Sequence, residues 1–204
     1  MEEPRIVMGV DPGLASTGVG VISRKTDGGW SAVWSAHVKT PPRAAMPDRL
    51  ARIHSLVAGA IGRFSPEIVA VESIFFAKNV RSAVLMAHGR GAAILAAAQS
   101  GATIREYSPL EIKQSVVGKG RAGKEQVKRM VGVLLGLSSV PSSDHETDAL
   151  ACALCHAFRA ERSWSTGPRL AAGEGHTAPQ APDNDDPRRA LLALSYRRKR
   201  RRRR

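Results

Sequence analysis

Three acids and a histidine carry the chemistry open to this chain: Asp11, Glu72, His145 and Asp148. Asp11 follows the apolar run Ile6–Val10 and is cut off by Pro12-Gly13, so it reads as the carboxyl end of a buried strand. Glu72 repeats that grammar behind Ile68–Val71. In open α/β sheets, ligand sites form beyond the carboxyl ends of strands at the switch point. Two carboxylates placed there point to a metal site. His145 and Asp148 stand at i and i+3 in SSDHETDALACALCHAF and share one face near the start of a helix. Ser143 and Glu146 have the spacing of a capping box at that start. Asp144, four residues before Asp148, meets the same geometric demand, so spacing alone leaves Asp144 and His145 both open.

The elements that must position these residues follow from periodicity. Strands are expected at Arg5–Val10, Gly18–Ser23 and Trp30–Lys39, with Asp27-Gly28 as the hairpin signal between the last two. Asp48 is placed to cap a helix whose apolar positions Leu50, Ile53, Val57 and Ile61 recur at helical spacing, the crossover to the strand that delivers Glu72. A small-residue helix follows from about Ser82 to Gln99 and ends at Gly101, then a strand at Thr103–Tyr107. Ser108-Pro109-Leu110-Glu111 reads as a capping box with Pro at the first helical position. The expected order is βββαβαβαα. Cys152 and Cys155 lie inside an apolar helix without further ligands and read as small buried residues. His37, His54, His88 and His176 belong to no constellation.

Charge narrows the partner. Residues 1–158 hold 18 Lys and Arg against 13 Asp and Glu, while the remainder holds 13 against 5. More than half of the +13 net charge therefore sits in the last quarter of the chain, which has no apolar period and ends in the all-basic run Arg197–Arg204. A domain over 1–158 and a disordered polybasic tail over 159–204 are the expected organisation. Such a balance fits a polyanion, and no apolar stretch reaches membrane-spanning length, so nucleic acid is expected and a membrane is not. The acidic start MEEPRIV lacks the basic and apolar segments of a secretion signal, which implies a cytoplasmic location.

Five blocks, in order and at matching spacing, give the chain a resemblance to the bacterial RuvC-type Holliday junction endonucleases: GVDPGLASTGVGVI, VAVESIFFAKNVRSA, GRGAAILAA, YSPLEIKQSVVGKGRAGKEQV and the DALACALCHA helix. The resemblance runs from about Arg5 to Phe158. It implies an α/β, ribonuclease-H-like fold of the retroviral-integrase superfamily, a mixed five-stranded sheet with flanking helices. It further implies a homodimer that resolves four-way DNA junctions by symmetric, metal-dependent hydrolysis on two strands in recombination and repair. Asp11, Glu72 and Asp148 fall on the family's catalytic acids, and His145 falls on its fourth position, where some members carry Asp. Mg²⁺ or Mn²⁺, two per subunit, is the implied cofactor, because hard cations take carboxylate and phosphate oxygens and a metal pair both activates water and stabilises the leaving oxygen. Asp11 is the expected shared ligand, with Glu72 and Asp148 on either side and His145 beside the attacking or leaving oxygen. RuvA and RuvB, the branch-migration machinery, are implied partners.

Two segments are expected to grip DNA. Phe75, Lys78 and Arg81 follow Glu72 directly, an aromatic wedge with flanking cations. Lys113, Lys119, Arg121 and Lys124 belong to a glycine-rich basic stretch suited to phosphate contact, whose Gly118, Gly120 and Gly123 imply mobility. Gly118–Lys124 also matches the start of a P-loop, but Glu125 replaces the hydroxyl that would hold Mg²⁺. Gly89 and Gly91 allow the helix over Ser82–Gln99 to approach either a second copy or the sheet. A ribosomal-RNA-processing nuclease of the same fold would be expected to lack the FFAKN and GKGRAGK segments. An actin-like phosphate-binding fold needs two large lobes and a longer chain, and a junction binder without activity has no need of the intact acid set.

Overall fold

The computed structural model describes residues 6–73 and 80–165. Five strands form one sheet: β1 (Ile6–Pro12), β2 (Ser16–Arg24), β3 (Trp30–Lys39), β4 (Ile68–Glu72) and β5 (Thr103–Tyr107), in the spatial order β3-β2-β1-β4-β5. β1, β2 and β3 are antiparallel neighbours, whereas β4 is parallel to both β1 and β5. The mixed five-stranded sheet is therefore as expected. Five helices cover it: α1 (Met46–Phe64), α2 (Val80–Gln99), α3 (Pro109–Val117), α4 (Lys124–Leu135) and α5 (Asp144–Ser165).

The pleat sorts the strand residues onto two faces. Met8, Val10, Val19, Val21, Val69 and Val71 form one core with α1 and α2. Val7, Ile22 and Ala70 point the other way, into a core built by α3, α4 and α5. Asp11 is in phase with Val7, and Glu72 with Ala70, so both acids emerge on the face that α5 covers. The long helix α5 is the apolar spine of that face: Ala149, Leu150, Ala151, Cys152, Ala153, Leu154 and Cys155 are all buried.

Three glycines on the α5 face determine how close that helix lies. A Cβ on Gly9 would fall 1.9 Å from the Ala149 carbonyl oxygen, and one on Gly18 would fall 1.9 Å from that of His145. A Cβ on Gly20 would meet Leu150 Cγ at 2.7 Å. Gly9 pairs with Gly20 and Gly18 with Asp11 across β1 and β2, so the side chains are missing along one continuous groove. On the opposite face, a Cβ on Gly89 would approach Leu14 Cα and N at 3.0 Å, while Gly91 has nothing within 4 Å. Gly89 thus serves packing within the chain, and Gly91 faces outward.

Several local expectations give way to the structure. Ala45, not Asp48, is the N-cap of α1, because Pro47 fits the first turn without needing an N–H bond, and Asp48 sits within that turn where the helix dipole favours an acid. Three helices, not two, close the order. The glycine-rich basic stretch is split by Gly118, the left-handed C-cap of α3, and by Gly123, the N-cap of α4, whose N–H is held by Gln126 Oε1 at 3.0 Å. The Ser108 capping box forms as expected, with the Ser108 N–H donating to Glu111 Oε2 at 2.9 Å. The last helix extends past Phe158 to Ser165.

Gly18→Ala and Gly9→Ala should each cost about 3 kcal/mol or more, because backbone rather than a movable side chain occupies the site. Gly59→Ala, in an exposed helix interior with nothing within 4 Å, should raise stability by about 0.5–1 kcal/mol. Urea unfolding of the three variants checks both signs.

Candidate active site

The end of β1 and the start of α5 meet at one hydrogen bond. His145 Nδ1–H donates to Asp11 Oδ2 at 2.7 Å, joining residues 134 apart in sequence. Asp11 is delivered by the sheet: its partner across the ladder is Gly18, whose missing side chain admits the His145 carbonyl. Glu72, at the end of the adjacent parallel strand, is hydrogen-bonded to Asp11. Asp148, one turn along α5, is close enough for its charge to act on Glu72 and for that of Asp11 to act on it.

The electrostatics are those of crowded acids. Burial first, and then the neighbouring Asp11 and Asp148, push the Glu72 carboxyl up to about 8. Asp148 is raised by burial and by Asp11, with Lys124 opposing. His145 is raised chiefly because its hydrogen bond to Asp11 favours the protonated ring. Among the described residues no three already form a ready metal cage. The donor set nonetheless fits a hard divalent ion: three carboxylates and an imidazole, half-buried, whose mutual repulsion a cation would relieve.

Basic residues frame the acids. Lys113 lowers the pKa of Glu72, and Lys124 acts on both His145 and Asp148. Lys119 and Arg121 are exposed in the turn between α3 and α4. Phe75, Phe76 and Lys78 lie outside the described residues, as does the side chain of Arg81 at the start of α2. Asp144 and His145, which spacing left open, point to different elements: His145 faces Asp11, whereas Asp144 faces α4 and pairs with Lys128 at 3.6 Å. The tail from 166 onward lies outside the described residues.

The capping-box expectation at Ser143 fails. Both oxygens of Glu146 are taken by β3, Oε2 accepting from the Ser35 hydroxyl at 2.5 Å and Oε1 from His37 Nδ1–H at 2.8 Å. Ser35 and His37 pair with Gly20 and Gly18 across the sheet, so they stand on the α5 face. That i, i+2 polar pair opposite two glycines was the available signal. A second unforeseen group is Arg49, buried on α1, whose Nε–H donates to Thr40 Oγ1 at 3.0 Å and whose Nη2–H reaches the Leu14 carbonyl at 3.4 Å, bracing the turn after Asp11. Both cysteines are buried, as expected, and the Cys155 thiol donates to the Ser115 hydroxyl at 3.3 Å. His156 accepts from the Tyr107 hydroxyl at 2.7 Å, and His54 bonds Gln99 at 2.8 Å.

The family model described as crossover junction endodeoxyribonuclease RuvC matches residues 7–156, well over half of the chain. The chain belongs to the RuvC family. The RuvC of Ruminiclostridium cellulolyticum is 45% identical over 152 residues, covering 74% of this chain and 90% of that protein. That of Halothermothrix orenii is 40% identical over 163 residues, 79% of this chain and 98% of that protein. Among solved structures, Thermus thermophilus RuvC superposes with a TM-score of 0.72 at 38% identity, covering 78% of this chain and 96% of that one. The same RuvC in complex with a Holliday junction substrate gives 0.70 at 36% identity, with 77% and 96% covered. The fold is ribonuclease-H-like, as the RuvC resemblance implied.

A pH dependence follows from the crowded acids. Carboxyls raised by the fold, as Glu72 and Asp148 are, contribute stability that is complete below their ordinary pKa and is lost as pH climbs through the folded value, about 8 for Glu72. The raised His145 acts in the same direction. In chelator, the melting temperature should therefore fall between about pH 5.5 and 8.5, and Mg²⁺ should restore it most at the upper end. Glu72→Gln should flatten that fall in differential scanning fluorimetry.

Proposed function

We propose that this chain resolves four-way DNA junctions by symmetric, divalent-metal-dependent hydrolysis of phosphodiester bonds on two strands, in recombination and DNA repair. The observation that carries the reading is the meeting of Asp11, Glu72, His145 and Asp148 at the carboxyl ends of β1 and β4. Membership of a family of crossover junction endodeoxyribonucleases supplies the substrate class.

Asp11, Glu72 and Asp148 are the oxygen donors that would hold the metal, with Asp11 central because it touches both Glu72 and His145. When bound, Mg²⁺ or Mn²⁺, two per subunit, would lower the pKa of the attacking water and offset charge on the leaving oxygen. The chain's own residues do the remainder. Glu72 and Asp148 would have to be ionised to serve as ligands, and His145, the most exposed of the four, stands where a proton could pass to or from the phosphodiester oxygen. Lys113, Lys119, Arg121 and Lys124 draw backbone phosphates toward the site, and Phe75, Lys78 and Arg81 are assigned to the junction centre on sequence grounds.

A homodimer would place one such site against each of the two strands cut. Val84, His88, Gly91 and Leu95 recur at helical spacing on the outer face of α2; Val84 and Leu95 are 50% and 53% exposed. This stripe is the surface we assign to the second copy, with Gly91 permitting close approach. RuvA and RuvB remain the partners expected of the family, and a cytoplasmic location suits a chain in which no described helix is long and apolar enough to cross a membrane. The nuclease domain is assigned to residues 1–158 together with the rest of α5 to Ser165, and the basic run Arg197–Arg204 adds sequence-independent attraction to DNA.

Incubation with an end-labelled four-way junction and a matched linear duplex tests the reading. Mg²⁺ or Mn²⁺ should give paired, symmetric nicks in the junction alone, and chelator or Asp11→Asn should abolish them. Junction binding without nicks under either metal would contradict it.

A further inference from the structure

We propose that Glu146, clamped by Ser35 and His37, is a positioning residue that holds His145 against Asp11; this rests on the site reading above. A glutamate three residues past a helix cap ordinarily turns back to the cap's own N–H. Glu146 instead reaches across to β3 and commits both carboxylate oxygens there, to Ser35 at 2.5 Å and to His37 at 2.8 Å. Its side chain is 15% exposed and that of His37 27%, so the contact is well shielded from solvent.

The first three residues of α5 are thereby tied to three different elements. Asp144 pairs with Lys128 of α4, His145 with Asp11 of β1, and Glu146 with β3. Successive side chains on an α-helix diverge by about 100°. A helix start pinned on one side to β3 and seated below on Gly18 has only one way to direct residue 145, and that way is toward β1. The Asp144 pair is more than half exposed on the acid's side and contributes little hold. Without the Glu146 clamp, the first turn would keep only its Gly18 contact, the exposed Asp144 pair and the His145–Asp11 bond itself, at the end of the helix most prone to fraying. A displacement of about 1 Å at a reacting group is enough to cost up to about 100-fold in rate.

Glu146→Ala should therefore lower the single-turnover nicking rate at saturating junction and Mg²⁺ by about tenfold or more, with the junction Kd in chelator changed by less than about twofold. Ser35→Ala and His37→Asn should each lose less, and combining either with Glu146→Ala should add nothing, since all three break one contact. Glu146→Gln, which keeps an accepting oxygen, should recover part of the rate. The ¹⁵N resonance of His145 Nδ1 should shift in Glu146→Ala while that of His54 stays in place, a signature that loss of stability alone does not produce. Wild-type nicking in Glu146→Ala, with Asp11→Asn still inactive, would overturn the clamp and leave the site reading standing. A loss that vanishes once rates are corrected for the folded fraction would overturn it as well. Full activity in Asp11→Asn would remove the site reading, and the clamp with it.

Discussion

Helix α5 lies so close to the sheet that β1 and β2 carry no side chains where it crosses them. Gly9, Gly18 and Gly20 form the groove, and the carbonyls of Ala149 and His145 occupy the space where methyl groups would stand. This close approach assembles the candidate site. Asp11 and His145 are 134 residues apart in sequence, and a helix seated at that depth brings them to within 2.7 Å. The sheet contributes the other condition: parallel pairing of β1 with β4 ends two strands side by side, so Asp11 and Glu72 emerge together on the face that α5 covers.

Placing three carboxylates in that confined space opposes stability in the absence of a compensating charge. The strain shows in a Glu72 carboxyl pushed up to about 8, by burial first and then by Asp11 and Asp148, while Lys113 opposes that rise and Lys124 opposes the rise of Asp148. A divalent ion held by these carboxylates would relieve the repulsion further.

Much of this was legible in the sequence because it is local. An apolar run ending in an acid and a Pro-Gly break gives both a strand and its terminus, and alternation along β1 and β4 gives the face on which Asp11 and Glu72 emerge. Asp27-Gly28 is a hairpin turn in the structure, with Gly28 at φ 86° and the Gly29 N–H bound to Asp27 Oδ1 at 2.9 Å. The Ser108 box is equally local and formed as read. The misreadings share one cause, competition from distant partners or from neighbouring backbone chemistry. Glu146 had the spacing of a cap, yet β3 offered a better-buried pair of donors. Asp48 had the chemistry of a cap, yet Pro47 let α1 begin earlier. Gly118 and Gly123, which in sequence suggest mobility, are the caps of α3 and α4. No spacing rule could separate Asp144 from His145, because the answer depends on where α4 presents Lys128.

The most direct test of this account is anomalous diffraction from crystals of the full chain bound to a four-way junction and soaked in Mn²⁺. The account predicts manganese peaks bounded by Asp11, Glu72 and Asp148, with His145 adjacent and a junction phosphate completing the shell. Manganese bound elsewhere, with none beside Asp11 and Glu72, would contradict it.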